Sequence, residues 1–505
     1  MSEKHQQGRY AMTRFAIARY ATATLVLASV CGARAEPEAT MEQKRQAEIA
    51  PGATGGRELE SRPGKTVKGS ELADATKIPG LKPGDEIKWV RDEMFGQDFA
   101  VNLTLAREWK EVLGGTAPSW TGKIAPQIKP GTVITSENYK TFADLDKLLP
   151  PQTYARLAPG AWDPIKEIRV GETDQFFPTR EYIAATKAGG NAPQGFTIKN
   201  WKGGLPFAHP KDAEQVLLNY LYRYWVDDLS FGFKWFLVGP SNNLERTITG
   251  RMFGMRFNGR TLTDKRPGYD EANADVLEKI GTLIESPKDV RGLALSRTRH
   301  VDNSVPDTIQ YYLPALRRMR RLSGRDTQDP IAGTDITWDD YVGFYQQVSR
   351  ETIEVKLVGE GEILHPSSYT KPTGNPRDGY IHNASAYDES DMTVRFTKWQ
   401  RRPVWIIDVN SKDPSYMYRT RRLWIDKEVP NILHFEALDR KGNPWKSMRS
   451  SMMYNPTNGD GANWDWASFA DDIAKHRTSW IFEWVSLPGL TPDDFDTALL
   501  TKKTQ

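Results

Sequence analysis

Cysteine is almost missing from this chain. The single one, Cys31, lies in a stretch that reads as an export signal, so the mature chain is expected to hold none. That excludes disulfides, a thiol nucleophile and a metal thiolate. It suits an oxidising periplasm, where a stray thiol is a liability. Histidine is sparse too. The seven residues are scattered, and no two stand at i, i+4 or as His-x-His, the spacings that bring two imidazoles to one ion. There is no Gly-x-Ser-x-Gly elbow, so serine hydrolase chemistry has no local signature. Gly64-Lys65-Thr66 mimics the end of a phosphate loop, but the earlier glycine is replaced by Leu59 and no strand precedes the stretch. No cofactor and no metal are expected. Long apolar runs are lacking after the leader, so the mature chain is read as having no transmembrane span.

The leader itself is well marked. Arg14 and Arg19 stand ahead of an apolar run from Ala21 to Val30, and Ala33-Arg34-Ala35 is a small-x-small cleavage site before Glu36. This is the pattern of a secretory signal peptide over residues 1–35, with Met12 as the expected true start. The run is too short to anchor in a bilayer. Lipidation of Cys31 would want a small residue before it, where Val30 stands. The leader also carries most of the charge. The full chain is +3, and residues 1–35 hold Lys4, Arg9, Arg14, Arg19 and Arg34 against Glu3. Without them the balance turns slightly negative, so no nucleic-acid partner is expected.

What is present is aromatic. Hydrophobic residues are only 38% of the chain, yet 16 Trp, 19 Tyr and 19 Phe supply large apolar surfaces for a core. The 40 Gly and 32 Pro signal many turns, which favours β-structure over a helical bundle. Residues 36–87 read as a flexible polar leader with one helix over Thr40–Ile49. Residues 88–228 read as a mixed helical and irregular region packing on a sheet. Helices are expected at Val101–Val112, Ser136–Leu149 and Lys211–Trp225. The last follows Pro210, with Asp212 and Glu214 where negative charge suits the helix dipole. From residue 229 the pattern becomes β. Phe231–Val238 and Glu245–Gly259 flank a Pro-Ser-Asn-Asn turn and suggest a hairpin. Thr308–Gly324 reads as strand, turn, strand, and Thr337–Tyr345 as a short turn or helix. The segments around Val355–Pro366, Pro403–Asn410, Arg421–Asp426, Asn431–Asp439 and Pro444–Arg449 complete a meander. The sheet is expected mainly between Leu229 and Met453, and residues 455–505 are read as a partly helical tail.

Chemistry is hard to find on these strands. Trp338-Asp339-Asp340 and Trp464-Asp465-Trp466 set carboxylates beside tryptophans, which a sugar-cleaving enzyme would use only if two carboxylates faced each other across a cleft. An exposed aspartate beside an anchoring tryptophan is the plainer reading. Arg317, Arg318, Arg320 and Arg321 suit a phosphate or acidic head group. They equally suit a solvated strand edge protected from aggregation. Phe233, Trp235, Tyr312, Trp405, Trp424, Phe435 and Trp445 are candidates for the wall of a hollow, and Arg318 and Arg320 for its head-group mouth. For any single one, ordinary core is the competing reading.

Several short segments resemble a bacterial secreted family known as domain of unknown function 1329. Gly115-Thr116-Ala117-Pro118-Ser119-Trp120-Thr121-Gly122 is similar to its Gly-Thr-x-Pro-x-Trp-x-Gly segment. Gly203-Gly204-Leu205-Pro206-Phe207-Ala208-His209-Pro210, with Glu214 and Asn219, resembles its helix start, and Arg223-Tyr224 the helix end. Tyr312-x-Pro314 and the arginine run fit a further motif, and Trp405 through Trp445 the closing meander. One departure is Tyr220, where the family usually has histidine. Trp424-Ile425-Asp426 and Asp439-x-x-Gly442 also resemble the periplasmic lipoprotein carriers and receptors of the LolA and LolB type. The resemblance implies an α+β fold: a large, strongly curved antiparallel sheet with helices across its concave face. It marks Pro206, Phe207, Pro210, Asn219 and Arg223 as family positions and supplies no catalytic residue. The function it implies is periplasmic carriage of a lipid, a lipoprotein acyl chain or another hydrophobe. Outer-membrane or envelope transport proteins are the expected partners. The alternatives are an envelope hydrolase acting on glycan or lipid, and a non-catalytic scaffold.

Overall fold

The structure, a computed structural model, describes residues 66–71, 81–92, 97–115, 122–199, 201–223, 227–261, 273–322, 326–369, 387–388, 393–394, 398–454, 456–457, 459, 463–486 and 490–496. The chain divides into two units, Met1–Gly55 and Gly56–Gln505, and the described residues all belong to the second. The signal peptide, the helix expected at Thr40–Ile49, most of the Gly115–Gly122 motif, Tyr224 and Trp225 lie outside the described residues.

The dominant element is a 13-stranded sheet. Its strands are β1 (Asp228–Val238), β2 (Leu244–Arg256), β3 (Val276–Ser286), β4 (Ala294–His300), β5 (Thr308–Leu313), β6 (Arg318–Leu322), β7 (Ile353–Tyr369), β8 (Lys398–Ser411), β9 (Thr420–Asp426), β10 (Ile432–Leu438), β11 (Pro444–Tyr454), β12 (Asn463–Asp471) and β13 (His476–Ser486). The spatial order is β6-β5-β4-β3-β2-β1-β13-β12-β11-β7-β8-β9-β10. Nearly every contact joins antiparallel neighbours in sequence, as short turns require. Two contacts break the meander. The β13 strand pairs with β1, Trp480 opposite Trp235. The β11 strand divides its edge: His434–Leu438 of β10 pair with its first part, and Ser367–Tyr369 of β7 run parallel to its last residues. The strands from β7 to β11 therefore close a circuit, which leaves that end of the sheet rolled up rather than open.

Two sequence expectations are corrected by this topology. The sheet does not stop near Met453, and most of the described tail is strand: Asn463–Asp471 and His476–Ser486 lie at the centre of the sheet, and its one described helical piece is the 3-10 turn Pro492–Phe495. Their apolar residues recur with period two. Ala467 and Phe469 face the main core, as do Trp480 and Phe482 on the neighbouring strand. The alternation around β1 is obscured because both its faces are covered. Phe231, Phe233 and Trp235 enter the main core, while Phe236 and Val238 pack with Trp466 and Ile481 behind the sheet.

Three helices position the pocket walls. Helix α1 (Leu103–Val112) starts at Asn102, whose Oδ1 accepts from the Leu105 amide at 3.1 Å. Helix α2 covers Arg180–Ala188. Helix α3 (Ala213–Leu221) starts at Asp212, which accepts from the Gln215 amide at 2.9 Å. It is shorter at both ends than the Lys211–Trp225 expected. The helix expected at Ser136–Leu149 is broken into a 3-10 turn (Tyr139–Thr141) and a short helix (Leu145–Leu148). Between them Asp144 is left-handed, φ 59°, which no continuous right-handed helix can include.

The core side of the sheet is filled by the chain itself. Helix α3 and the segment from Ile331 to Val348 pack onto it. The expected turn at Thr337–Tyr345 is a single 3-10 turn, Tyr341–Gly343. The Tyr341 ring centroid lies 5.5 Å from that of Trp480. The Tyr220 hydroxyl reaches the carbonyls of Val342 at 3.0 Å and Phe344 at 2.8 Å. It ties helix to plug.

Candidate ligand pocket

A pocket of about 240 Å³ opens where α1, α3 and the Leu205–Pro210 segment meet strands β7, β8 and β9. Its apolar wall comes from Leu113, Leu205, Phe207, Val216, Trp405, Ile425 and Pro430. Its polar groups are His209, Asn219, Glu360 and Lys427. Strand pairing explains one side. Glu360 lies opposite Trp405 and Trp405 opposite Ile425, so one residue from each of β7, β8 and β9 forms a row across the sheet. Just outside this row the register slips between Leu357 and Gly359, and between Trp424 and Ile425. Such bulges re-aim side chains.

The opposite wall depends on Asn219. Its Oδ1 accepts from the Phe207 amide at 2.9 Å and its Nδ2 donates to the Phe207 carbonyl at 2.8 Å. One buried side chain thus replaces a strand partner for an irregular segment that has none. Arg223, at the end of α3, donates to Asn431 at 2.9 Å and to the Tyr220 carbonyl at 3.0 Å. These residues have architectural places here: Asn219 holds Phe207 at the pocket, Pro206 and Pro210 bracket that segment, and Arg223 fastens the helix to the meander.

Lys427 and Glu360 make the electrostatics. Lys427 Nζ lies 2.6 Å from Glu360 Oε2 and 4.0 Å from the Trp405 ring centroid. Burial pulls its ammonium below the ordinary lysine range, while Glu360 works the other way. Behind them Glu428 is fully buried. It accepts from Arg402 and from the Phe176 amide, each at 2.6 Å. Arg402 also grips Asp426 at 2.7 Å. Burial pushes the Glu428 carboxyl up to about 7, against the pull of Arg402. Among the lining residues there is no serine, threonine, cysteine or aspartate. The arrangement can take an apolar group against Trp405 and Ile425 and offer a neutralised ion pair to its polar end.

Of the hollow-wall candidates, Trp405 lines this pocket. Phe233, Trp235, Trp424 and Phe435 are buried in the main core. Trp445 packs on Tyr418, centroids 5.6 Å apart, and donates to Asp471 at 3.0 Å. Tyr312 packs against a separate cluster that contains Phe253 and Phe495. Arg318 and Arg320 are exposed on β6, the end strand of the sheet among the described residues, away from this pocket. Of the tryptophan-flanked carboxylates, Asp339 and Asp340 are buried and locked, not exposed as expected. Asp339 accepts from Tyr416 at 3.0 Å, and Asp340 accepts from Tyr418 at 2.9 Å and lies 2.9 Å from Arg421. Sequence reasoning missed Lys427, Glu360, Leu113 and Ile425 as pocket residues. Glu360 between two glycines was the one visible signal. Among the described residues no cluster of His, Cys, Asp or Glu could hold a metal, and no helix is long and apolar enough to cross a membrane.

Fold and site together define a curved-sheet protein with a mixed apolar and polar pocket where helices cross the sheet. The chain belongs to the family described as protein of unknown function (DUF1329), whose model matches residues 133–482. No curated protein matches. Among solved structures, the chain is similar to a putative outer membrane lipoprotein-sorting protein domain from Vibrio parahaemolyticus, at 18% identity over 58% of this chain and 98% of that one, TM-score 0.40. A DUF1329 family protein from Desulfovibrio piger matches at 14% identity over 55% and 92%, TM-score 0.37. A LolA superfamily protein from Nitrosomonas europaea matches at 11% over 57% and 100%, TM-score 0.36.

Proposed function

We propose that this is a non-catalytic binding protein of the bacterial envelope that holds the apolar end of a lipid-like molecule, such as an acyl chain, in the Trp405 pocket. The observation that carries the reading is the pocket's construction: an apolar wall with a single neutralised ion pair and no hydroxyl or thiol nucleophile. Each methylene buried there contributes ~0.8 kcal/mol. At about 240 Å³ the pocket is smaller than the ~300–1,000 Å³ sites of drug-sized ligands. It suits the end of one chain or a compact hydrophobe. The signal-peptide pattern supports an envelope location, and the locked state of Asp339 and Asp340 disfavours the glycan hydrolase reading.

Native mass spectrometry of the full chain, purified without detergent, and titration with a fluorescent fatty acid test this. The expected result is a bound or readily taken-up hydrophobe, with affinity reduced at least about tenfold in Ala208→Trp, which puts a large side chain on a residue that lines the pocket. Wild-type protein that takes up nothing, or an Ala208→Trp variant that binds equally well, overturns the reading.

A further inference from the structure

At the opposite end of the sheet from the pocket strands, β5 and β6 form a hairpin of unusual composition. Its residues 308–322 contain no aspartate or glutamate. Arg317, Arg318, Arg320 and Arg321 are all exposed. Between and beside them stand two large apolar side chains that are also exposed, Leu316 at 50% and Met319 at 41%. Among the described residues, strand β6 pairs with β5 on one side and with no strand on the other. Register places Arg318 opposite Leu313 and Arg320 opposite Tyr311. One face of the hairpin therefore carries Arg318 and Arg320 beside half-buried Leu313 and Tyr311. The other carries Arg321 and Met319 beside Tyr312.

Edge protection alone does not account for this. Charge on an edge strand discourages pairing with other chains, but protection is served by polar neighbours, not by Leu316 and Met319. The tip adds a second argument. Pro314–Leu316 is a 3-10 turn, and it ends at Arg317 in the left-handed region, φ 49°. Glycine would hold that conformation at lower cost, so what the position adds is the guanidinium. Guanidinium groups bind phosphate by paired N–H donors, and short apolar and aromatic side chains beside them suit the boundary between head groups and acyl chains.

We propose that the β5–β6 hairpin is a docking surface for an anionic phospholipid bilayer. Arginines contact head-group phosphates, and Leu316 and Met319 enter the interface. The mature chain is close to neutral overall, so the attraction is local to this hairpin rather than a property of net charge. The proposal is independent of what the Trp405 pocket holds.

The test is co-sedimentation of the full chain, without its leader, with vesicles of phosphatidylglycerol and phosphatidylcholine, and with phosphatidylcholine alone. Binding is expected to the anionic vesicles and to weaken with salt. Each basic side chain near such a surface is worth enough that losing two costs roughly thirtyfold in affinity, so Arg318→Gln/Arg320→Gln should show that loss. Leu316→Ser/Met319→Ser should also weaken binding. These hairpin side chains are exposed, so circular dichroism is expected to show all variants folded. Wild-type protein that stays in the supernatant, or that binds neutral vesicles as well as anionic ones, overturns the proposal. So does a double arginine variant that binds like the wild type, which would leave the arginines as edge protection.

Discussion

At the residue scale, the molecule depends on charges buried in pairs. Arg402 has no exposed side-chain surface and holds both Asp426 and Glu428. Its guanidinium also stacks 3.6 Å over the Phe176 ring. Such a set adds little net stability, but removing one member strands the others without water. Arg402→Met is therefore expected to destabilise the fold by ~3–5 kcal/mol, read as a shift of the urea midpoint. Asn219→Ala should behave differently. It frees two main-chain groups of Phe207 and costs ~2 kcal/mol, and it should loosen one pocket wall. The sequence marked Asn219 through a motif, and the structure shows why an amide is needed: only a side chain with both donor and acceptor can satisfy one residue's N–H and C=O together. Arg402 and Glu428 were not legible in the same way. Nothing in the local pattern of a strand says which arginine is paired within the core, because partners come from segments distant in sequence.

At the element scale, the strands were legible and their faces were not. The hairpins of β1 with β2 and of β5 with β6 appear at the places that alternation and turn residues suggested. Segments with covered faces on both sides, such as β1, hide which aromatics meet a ligand and which meet each other. Four of the hollow-wall candidates proved to be core for that reason. In the tail, the period-two pattern of Ala467 with Phe469 and Trp480 with Phe482 is hidden because large apolar side chains lie on both faces, Trp464 in the main core and Trp466 and Ile481 behind the sheet. The plug segment is the element most sensitive to a small change. Gly343 has φ 89°, and a Cβ there would come within 3.0 Å of Ile432 and 3.1 Å of Met448. Gly343→Ala is expected to cost at least ~2 kcal/mol through strain and crowding together, measured by denaturant unfolding. An unchanged midpoint would mean that the plug shifts freely.

At the scale of the whole molecule, distant parts are clipped together by one imidazole. His476, at the start of β13, meets Asp335 of the plug segment at 2.7 Å and Glu245 of β2 at 3.0 Å. The Asp335 hydrogen bond is the main reason its pKa is raised to about 9. The charged form is thus favoured by folding. Its contribution is full below the unfolded value of ~6.5 and is lost as pH rises through 9. After allowance for solvent screening it amounts to about 1 kcal/mol. Melting temperature should therefore fall between pH 6.5 and 9.5, and His476→Gln should flatten that slope. A slope identical in both proteins would remove His476 as its source.

The position of β13 also sets an order of events during synthesis. Strand β1 is the first strand of the sheet to be made, yet its neighbour toward β12 is β13, the last of the thirteen. Until then β1 and β12 each present an unsatisfied edge, and the two halves of the sheet have no seam. Joining them means closing a very long loop, a step that is slow because its entropy is lost before the contacts form. A nascent chain is thereby kept from completing the sheet until β13 has been made. The same arrangement makes the protein intolerant of early termination: a chain ending before residue 476 would carry two half-sheets with exposed edges, a species prone to stick to its own kind.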